Sequence, residues 1–525
     1  MSDLDALVAH LQRPDAYSHP VRSVEHIETH ISHVLLAGEY AYKLKKPLDL
    51  GFLDFSTLER RRFCCEEELR LNRRLAPQTY LAVVPVTGSV QAPDMGGEGD
   101  ILEYAVKMRR FDQKSLLSSR PLDSDLPERI AERVASFHQS IPSVAPEWPY
   151  GDFDAVLEPM RSNFAQIRSR LAGNELLDRL QPLEAWTLRR HLALRVALLQ
   201  RRARGFVREC HGDMHRGNIA LDGDEILIFD GIEFNPSLRW IDTMSELAFL
   251  VMDLEEAGEA KQARRLLNRY LELTGDYDGL RVFDFYKLYR AMVRAKVIAI
   301  RLDQPDLDDR EVIRDKDELE GYLDLAEEYT RPRYLGIYLA HGVSASGKSR
   351  LCKRLREQLP FIHIRSDIER KRLFGLSENA RSNEGRNDAG IYGPDASERT
   401  YARLHELVGT ILDAGYSPLV DATFLKASQR EPFIALAKER GVSCRILDLQ
   451  APDAVLRQRI LDREKDGQDP SEAGIAVLDR QLAMREPLGY EEQVLAITID
   501  STDPNALGTL PARLAASVAA IRVER

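Results

Sequence analysis

The pattern of hydrophobic and polar positions changes character twice along the chain. Residues 30–46 read as two strands, HISHVLLA and EYAYKLKK, turning at Gly38. TLERRRFCCEEELRLNRRL (57–75) reads as a helix. Its apolar positions Phe63, Leu71 and Leu75 fall near one face, and Pro77 follows its end. ILEYAVKM (101–108) is a further strand. From 124 to 205 the periodicity is mainly helical, broken by a Pro, Gly and Trp loop at 142–152. GNIAL and EILIFD then form a short strand pair around 217–230, and 243–330 is helical again.

The second change comes after the linker EEYTRPRY (327–334). Apolar runs LGIYLAH, FIHIR, SPLVDAT, SCRILDL and LAITID now alternate with helical stretches, which predicts a parallel α/β sheet. The two parts predict two domains, 1–330 (lobes about 15–112 and 113–330) and 331–525. No internal repeat relates them.

Composition narrows the class. Apolar residues make up 44% and charged residues 30% of the 525, the balance of a folded soluble protein. Five cysteines without CxxC spacing indicate reduced thiols. The N-terminus lacks a basic stretch followed by an apolar one, and no apolar run approaches the ~18 residues of a membrane span. The expectation is a cytoplasmic protein. Net charge is −11. Residues 333–525 hold 28 basic and 27 acidic residues, so the negative charge lies in the first part. Neither part has the positive charge expected of a nucleic-acid binder.

The second part carries G-x-x-x-x-G-K-S at Gly342, Gly347, Lys348 and Ser349, between a strand and a helix. There the backbone of Ser344, Ala345, Ser346 and Arg350 can cradle phosphates. Lys348 reaches the β- and γ-phosphates of ATP, and Ser349 ligates Mg²⁺. Asp367, just past the second strand, is placed to act as a general base or to cap its helix. Arg365, Arg370 and Arg372 lie beside it. Asp421 ends a strand and suits a second Mg²⁺ carboxylate, or the cap of a turn. LRQRILDRE (456–464) offers Arg457, Arg459 and Arg463 as a lid over the phosphates, with Arg463 preferred, or as a solvated helix face. GVSASGKS, RSD with RKRLFG, VDATF and the arginine helix followed by DPSEA resemble small P-loop kinases: gluconate kinase, chloramphenicol phosphotransferase, polynucleotide 5′-kinase and zeta-toxin-like proteins.

The first part carries H-G-D-x-x-x-x-N at His211, Gly212, Asp213 and Asn218, with Asp230 ending a strand twelve residues on. Phosphoryl transfer needs a base, metal ligands and positive charge. Asp213 fits the base, and Asn218 and Asp230 fit the metal. A metal site on His211, Asp213 and His215 is the alternative. The segment resembles the aminoglycoside phosphotransferase family, which has a protein-kinase-like fold. The resemblance implies a catalytic loop at 211–218, a metal-binding segment at IFDGIEF and a structural aspartate at Asp242. It further implies an ATP-binding lysine at Lys43, with Lys45 as fallback, and a partner among Glu66, Glu67 and Glu68, with Glu67 chosen. IETHIS (27–32) lacks the glycines of a phosphate-covering loop. The whole order resembles bacterial bifunctional aminoglycoside phosphotransferase/ATP-binding proteins. The implied fold is an α+β bilobal kinase-like domain followed by an α/β P-loop domain. The implied partner is a small-molecule hydroxyl acceptor such as a sugar, an aminoglycoside-like compound or another metabolite.

Overall fold

A computed structural model of the chain describes residues 3–49, 51, 53–122, 125–171, 175–304, 307–378, 391, 393–466 and 474–520. Its contacts divide it into two units. The first is Met1–Gly258 with Phe285–Tyr329; the second is Glu259–Asp284 with Thr330–Arg525. The sequence pattern assigned 259–284 to the first domain; the contacts group it with the second.

The first unit opens with six strands: β1 (Val24–Glu28), β2 (Ser32–Ala37), β3 (Tyr40–Lys45), β4 (Tyr80–Ser89), β5 (Ala92–Met95) and β6 (Ile101–Arg109). They form one antiparallel sheet in the order β1-β2-β3-β6-β4-β5. β3 is central, with Lys43 opposite Val34 on one side and Val106 on the other. Leu35, Tyr42, Leu44 and Ala105 bury one layer of the sheet. Helix Leu58–Asn72 begins at Thr57, whose hydroxyl accepts from Arg60 N–H. Its buried face is Cys64, Cys65, Glu68, Leu71 and Asn72, the i, i+4, i+7 spacing of one helical stripe. Phe63 is off that stripe and 61% exposed.

Helices fill the rest of this unit. A cluster that includes Phe164, Leu180, Phe249, Leu288, Leu319 and Tyr322 forms their core. Two strand pairs sit among them: β7 (Val207–Glu209) with β10 (Trp240–Asp242), and β8 (Ile219–Asp222) with β9 (Glu225–Ile228). The second pair is the hairpin expected between Asn218 and Asp230.

The second unit holds five parallel strands in the order β12-β13-β11-β14-β15. They are β11 (Gly336–His341), β12 (Phe361–Arg365), β13 (Ser417–Asp421), β14 (Ser443–Gln450) and β15 (Ala496–Asp500). All five apolar runs identified in the sequence are strands. β11 is buried at all six positions, as a central parallel strand covered on both faces must be.

Candidate active sites

In the first unit the segment His211–Asn218 follows β7. Gly212 has φ +89°, and a Cβ there would stand 2.8 Å from Leu238 O, so only glycine fits without a shift. Its N–H donates to Glu246 Oε1 (2.7 Å), and its carbonyl accepts from Arg290 Nη1 (3.0 Å). The loop is thereby fixed from two sides. Asn218 Nδ2 donates to both the backbone oxygen and Oδ2 of Asp213, each at 3.0 Å. His215 Nδ1 accepts from Gly217 N–H (3.1 Å), so its Nε2–H faces Asp213 Oδ2 at 3.4 Å. Burial works against the Asp213 carboxylate, but His215, His211 and Arg290 more than offset it, and its pKa lies well below the ordinary range. Asp213 is therefore an ionised acceptor, with its side chain 35% exposed.

His211 does not join a metal set with Asp213 and His215. Its Nδ1 accepts from Asp213 N–H (3.3 Å), and its Nε2 reaches Phe229 O (2.9 Å), so both ring nitrogens are used internally. Asp242 is structural: Arg201 grips both its oxygens (2.7 and 2.8 Å), and it caps helix Thr243–Glu256 through Met244 N–H.

Lys43 and Lys45 project from the same face of β3, two residues apart. Lys43 Nζ meets Glu68 Oε1 at 3.0 Å and also pairs with Asp230. Lys45 Nζ meets Glu68 Oε2 at 2.6 Å and also pairs with Glu233. Glu68 has no exposed surface, and the two lysines outweigh its burial, holding its pKa down to about 2. The partner is thus Glu68 and not Glu67. Glu67 lies one helical step away and takes two 2.8 Å bonds from Arg70 and one of 3.2 Å from Arg239. The choice of Glu67 rests on Leu71 and Leu75, which are indeed buried, but Glu68 is buried as well and is the residue that faces β3.

Asp230 has φ +62°, a conformation costly for a residue with a side chain. Neighbouring bonds maintain it: Asp230 N–H donates to Tyr80 Oη (3.1 Å), and Gly231 N–H to Asn72 Oδ1 (2.8 Å). Asn72 belongs to the same helix as Glu68, so one helix sets the lysine partner and the aspartate segment together.

In the second unit the P-loop joins β11 to helix Lys348–Gln358. Gly342 (φ +145°), Ala345 (φ +61°) and Gly347 (φ +97°) wind it. A Cβ on Gly342 would meet Ser346 Oγ at 2.7 Å and Leu449 O at 2.9 Å. Among the described residues Ser346 Oγ is buried without a hydrogen-bond partner, and Lys348 Nζ folds back onto Val343 O at 2.8 Å. Ser344 N–H donates to Gln481 Oε1 (2.7 Å). Ser349 and Arg350 are exposed at the start of the helix. An unpartnered hydroxyl, a lysine turned inward and backbone wound through left-handed angles fit a phosphate group.

Asp421 ends β13, buried, with Oδ2 3.6 Å from His363 Nε2. Its pKa is lowered, since the neighbouring His363, Lys348 and Ser349 outweigh burial. Lys348, Ser349 and Asp421 therefore come together. Asp367 sits in the first turn of helix Ser366–Leu373, where the cap position belongs to Arg365. Its Oδ1 accepts from Ile368 N–H (3.0 Å), and its Oδ2 from Arg365 Nη2 (2.8 Å).

In the arginine helix (Asp453–Asp466), Arg459 reaches the P-loop, donating to Ala345 O (3.1 Å) and to Ser501 Oγ (2.9 Å). Arg457 turns to Asp453 and Asp479. The side chain of Arg463, like the segment DPSEA, lies outside the described residues. His341, Asp448 and Arg485 form a further group beside the P-loop: Asp448 Oδ1 lies 2.6 Å from His341 Nδ1 and 3.2 Å from Arg485 Nη2. Sequence reading had not singled them out.

A kinase-like unit followed by a P-loop kinase unit supports the class of phosphotransferases. Residues 62–283 match the model of the phosphotransferase enzyme family, and residues 337–488 match that of an AAA domain. An uncharacterized protein of Mycobacterium tuberculosis strain H37Rv is 28% identical over 478 residues, covering 88% of this chain and 92% of its own length. Among solved structures, a gluconokinase from Sinorhizobium meliloti is similar at 20% identity, covering 35% of this chain and 98% of its own (TM-score 0.24). An amicoumacin kinase in complex with AMP-PNP, Ca²⁺ and Ami is similar at 13%, covering 61% of this chain and 95% of its own (TM-score 0.40). Among the described residues, no helix is long and apolar enough to cross a membrane.

Proposed function

We propose that the chain is an ATP- and Mg²⁺-dependent kinase with two sites, each phosphorylating a hydroxyl of a small molecule. The observation that carries the proposal is the recurrence, in two unrelated folds, of one functional set. Each has an accessible carboxylate for the acceptor proton, a lysine for the phosphates, and further oxygen donors for a metal. In the first unit these are Asp213, Lys43, and Asn218 with Asp230. In the second they are Asp367, Lys348, and Ser349 with Asp421. When bound, Mg·ATP supplies the phosphoryl group and the charge that balances it. The chain's own part is positional. Asn218 and His215 aim the Asp213 carboxylate. Glu68 holds Lys43 at Asp230. Arg459 ties the P-loop at Ala345 to Ser501. Five buried free cysteines support a reducing, cytoplasmic setting.

The test is ATP turnover in the full-length chain. Asp213→Asn and Lys348→Ala should each remove part of it, and the double variant essentially all. Unchanged turnover in either single variant refutes the corresponding site.

A second reading has one specific observation in its favour. The β1–β2 turn is Thr29, His30 and Ile31, without glycine, and is tied by Thr29 N–H to Ser32 O (2.9 Å) and by Lys46 Nζ to Thr29 O (2.7 Å). A turn so fastened favours a first unit that binds a ligand without transferring phosphate. Turnover that survives Lys348→Ala and is lost on adding Asp213→Asn excludes that reading.

A further inference from the structure

Helix Ala260–Thr274 lies within the stretch matched by the phosphotransferase family model, yet its contacts belong to the P-loop unit. β12 is an edge strand of the parallel sheet and has free backbone groups on its outer side. Asn268 covers them as a reciprocal pair. Its Nδ2 donates to Phe361 O (3.1 Å), and its Oδ1 accepts from His363 N–H (2.7 Å). Arg264 adds a bond to Glu357 O at 2.7 Å. The helix is thus anchored along the strand that ends at Arg365.

One turn further on, Glu272 is 5% exposed and faces several guanidinium groups. Its Oε1 accepts from Arg269 Nη1 (2.8 Å) and lies 3.6 Å from Arg365 Nη1; its Oε2 lies 3.9 Å from Arg356 Nη1. Its backbone oxygen accepts from Arg372. Arg269 also bridges to both oxygens of Glu378. Arg365 is therefore held between two carboxylates, Glu272 at one terminal nitrogen and Asp367 at the other (2.8 Å). Burial works against its charge, but Asp367, Glu272 and Asp421 more than offset it, and its pKa is raised. A planar fork hydrogen-bonded at one nitrogen and ion-paired at the other has restricted freedom to rotate.

We infer that Glu272 is a positioning residue of the P-loop site, holding Arg365 so that its second nitrogen fixes the Asp367 carboxylate. The inference rests on Asp367 being that site's base. It makes the P-loop kinase a composite of residues 330–525 and a helix encoded before the linker.

The test uses the full chain in an Asp213→Asn background, which silences the first site, with hydrolysis of Mg·ATP as the readout. Glu272→Gln keeps the side chain's shape and removes its charge. It should lower kcat about tenfold and leave KM for Mg·ATP within about twofold, since a small misplacement of a reacting group costs turnover before binding. Combined with Asp367→Asn it should add nothing, because both act through one carboxylate. Arg365→Lys should behave like Glu272→Gln and serves if that variant does not fold. If Glu272→Gln lowers kcat equally with and without Asp367, the residue only supports the fold and the inference is overturned. If Asp367→Asn alone lowers kcat while Glu272→Gln does not, the inference fails and the reading of Asp367 stands. If Asp367→Asn has no effect, that reading falls and the inference with it.

Discussion

The two units gather the same set of groups in opposite ways. In the second, one loop of eight residues carries most of the phosphate cradle, and its left-handed angles and buried hydroxyl are set within that loop. In the first, the charges come from β3, from helix Leu58–Asn72 and from the segment around β9, almost two hundred residues apart in sequence. The difference teaches where each site is vulnerable. A local loop is sensitive to backbone geometry. A distributed site depends on the buried charges that hold its pieces together, and Glu68, shared between two lysines, is the point where they meet.

The contrast can be broken most sharply at the proposed base of the first unit. Asp213→Asn should cut first-site turnover by about 10²–10⁴ and leave the second site unchanged, measured as ATP turnover on a Lys348→Ala background and on wild type. Next in size is the Glu68 hub. Glu68→Ala leaves two buried lysines short of a partner and should destabilise the first unit by about 3–5 kcal/mol, whereas Glu67→Ala should cost within about 1 kcal/mol. All three tryptophans, Trp148, Trp186 and Trp240, lie in the first unit, so denaturation followed by tryptophan fluorescence reads that unit alone. Equal effects of the two variants would dissolve the distinction. Smaller again is Gly342→Ala. The φ of +145° and the close Leu449 oxygen should cost about 1–3 kcal/mol of nucleotide affinity at the P-loop, with no change in tryptophan-detected stability.

The gentlest probe is pH. Glu68 is held at about 2, below the ordinary value of 4.5. A carboxyl depressed in this way contributes its stability fully above the ordinary value and loses it as pH falls. The first unit's tryptophan-detected stability should therefore decline from about pH 4.5 towards 2, and Glu68→Gln should flatten that decline.

How much could be read from sequence follows the same division. G-x-x-x-x-G-K-S and H-G-D-x-x-x-x-N are short patterns whose spacing is their geometry, and the strands around them were visible as apolar runs. Glu67 was preferred to Glu68 because it shares a stripe with the buried Leu71 and Leu75, whereas the burial of Glu68, about 100° round the helix, comes from its two lysines and not from an apolar period. Arg459, rather than Arg457, reaches the P-loop backbone, and no helical pattern marks which of the two will do so. Helix Ala260–Thr274 reads like any other amphipathic helix. Its place against β12 is a long-range pairing through the Asn268 amide, and such pairing leaves no periodic trace.

The central claim is that one chain holds two separate phosphotransfer sites. Its most direct test is to incubate wild type, Asp213→Asn and Lys348→Ala with Mg·ATP and a cell metabolite extract and to identify the phosphorylated products. The account predicts two product sets, one lost with Asp213 and the other with Lys348. A single product set, abolished by one variant and untouched by the other, would contradict it.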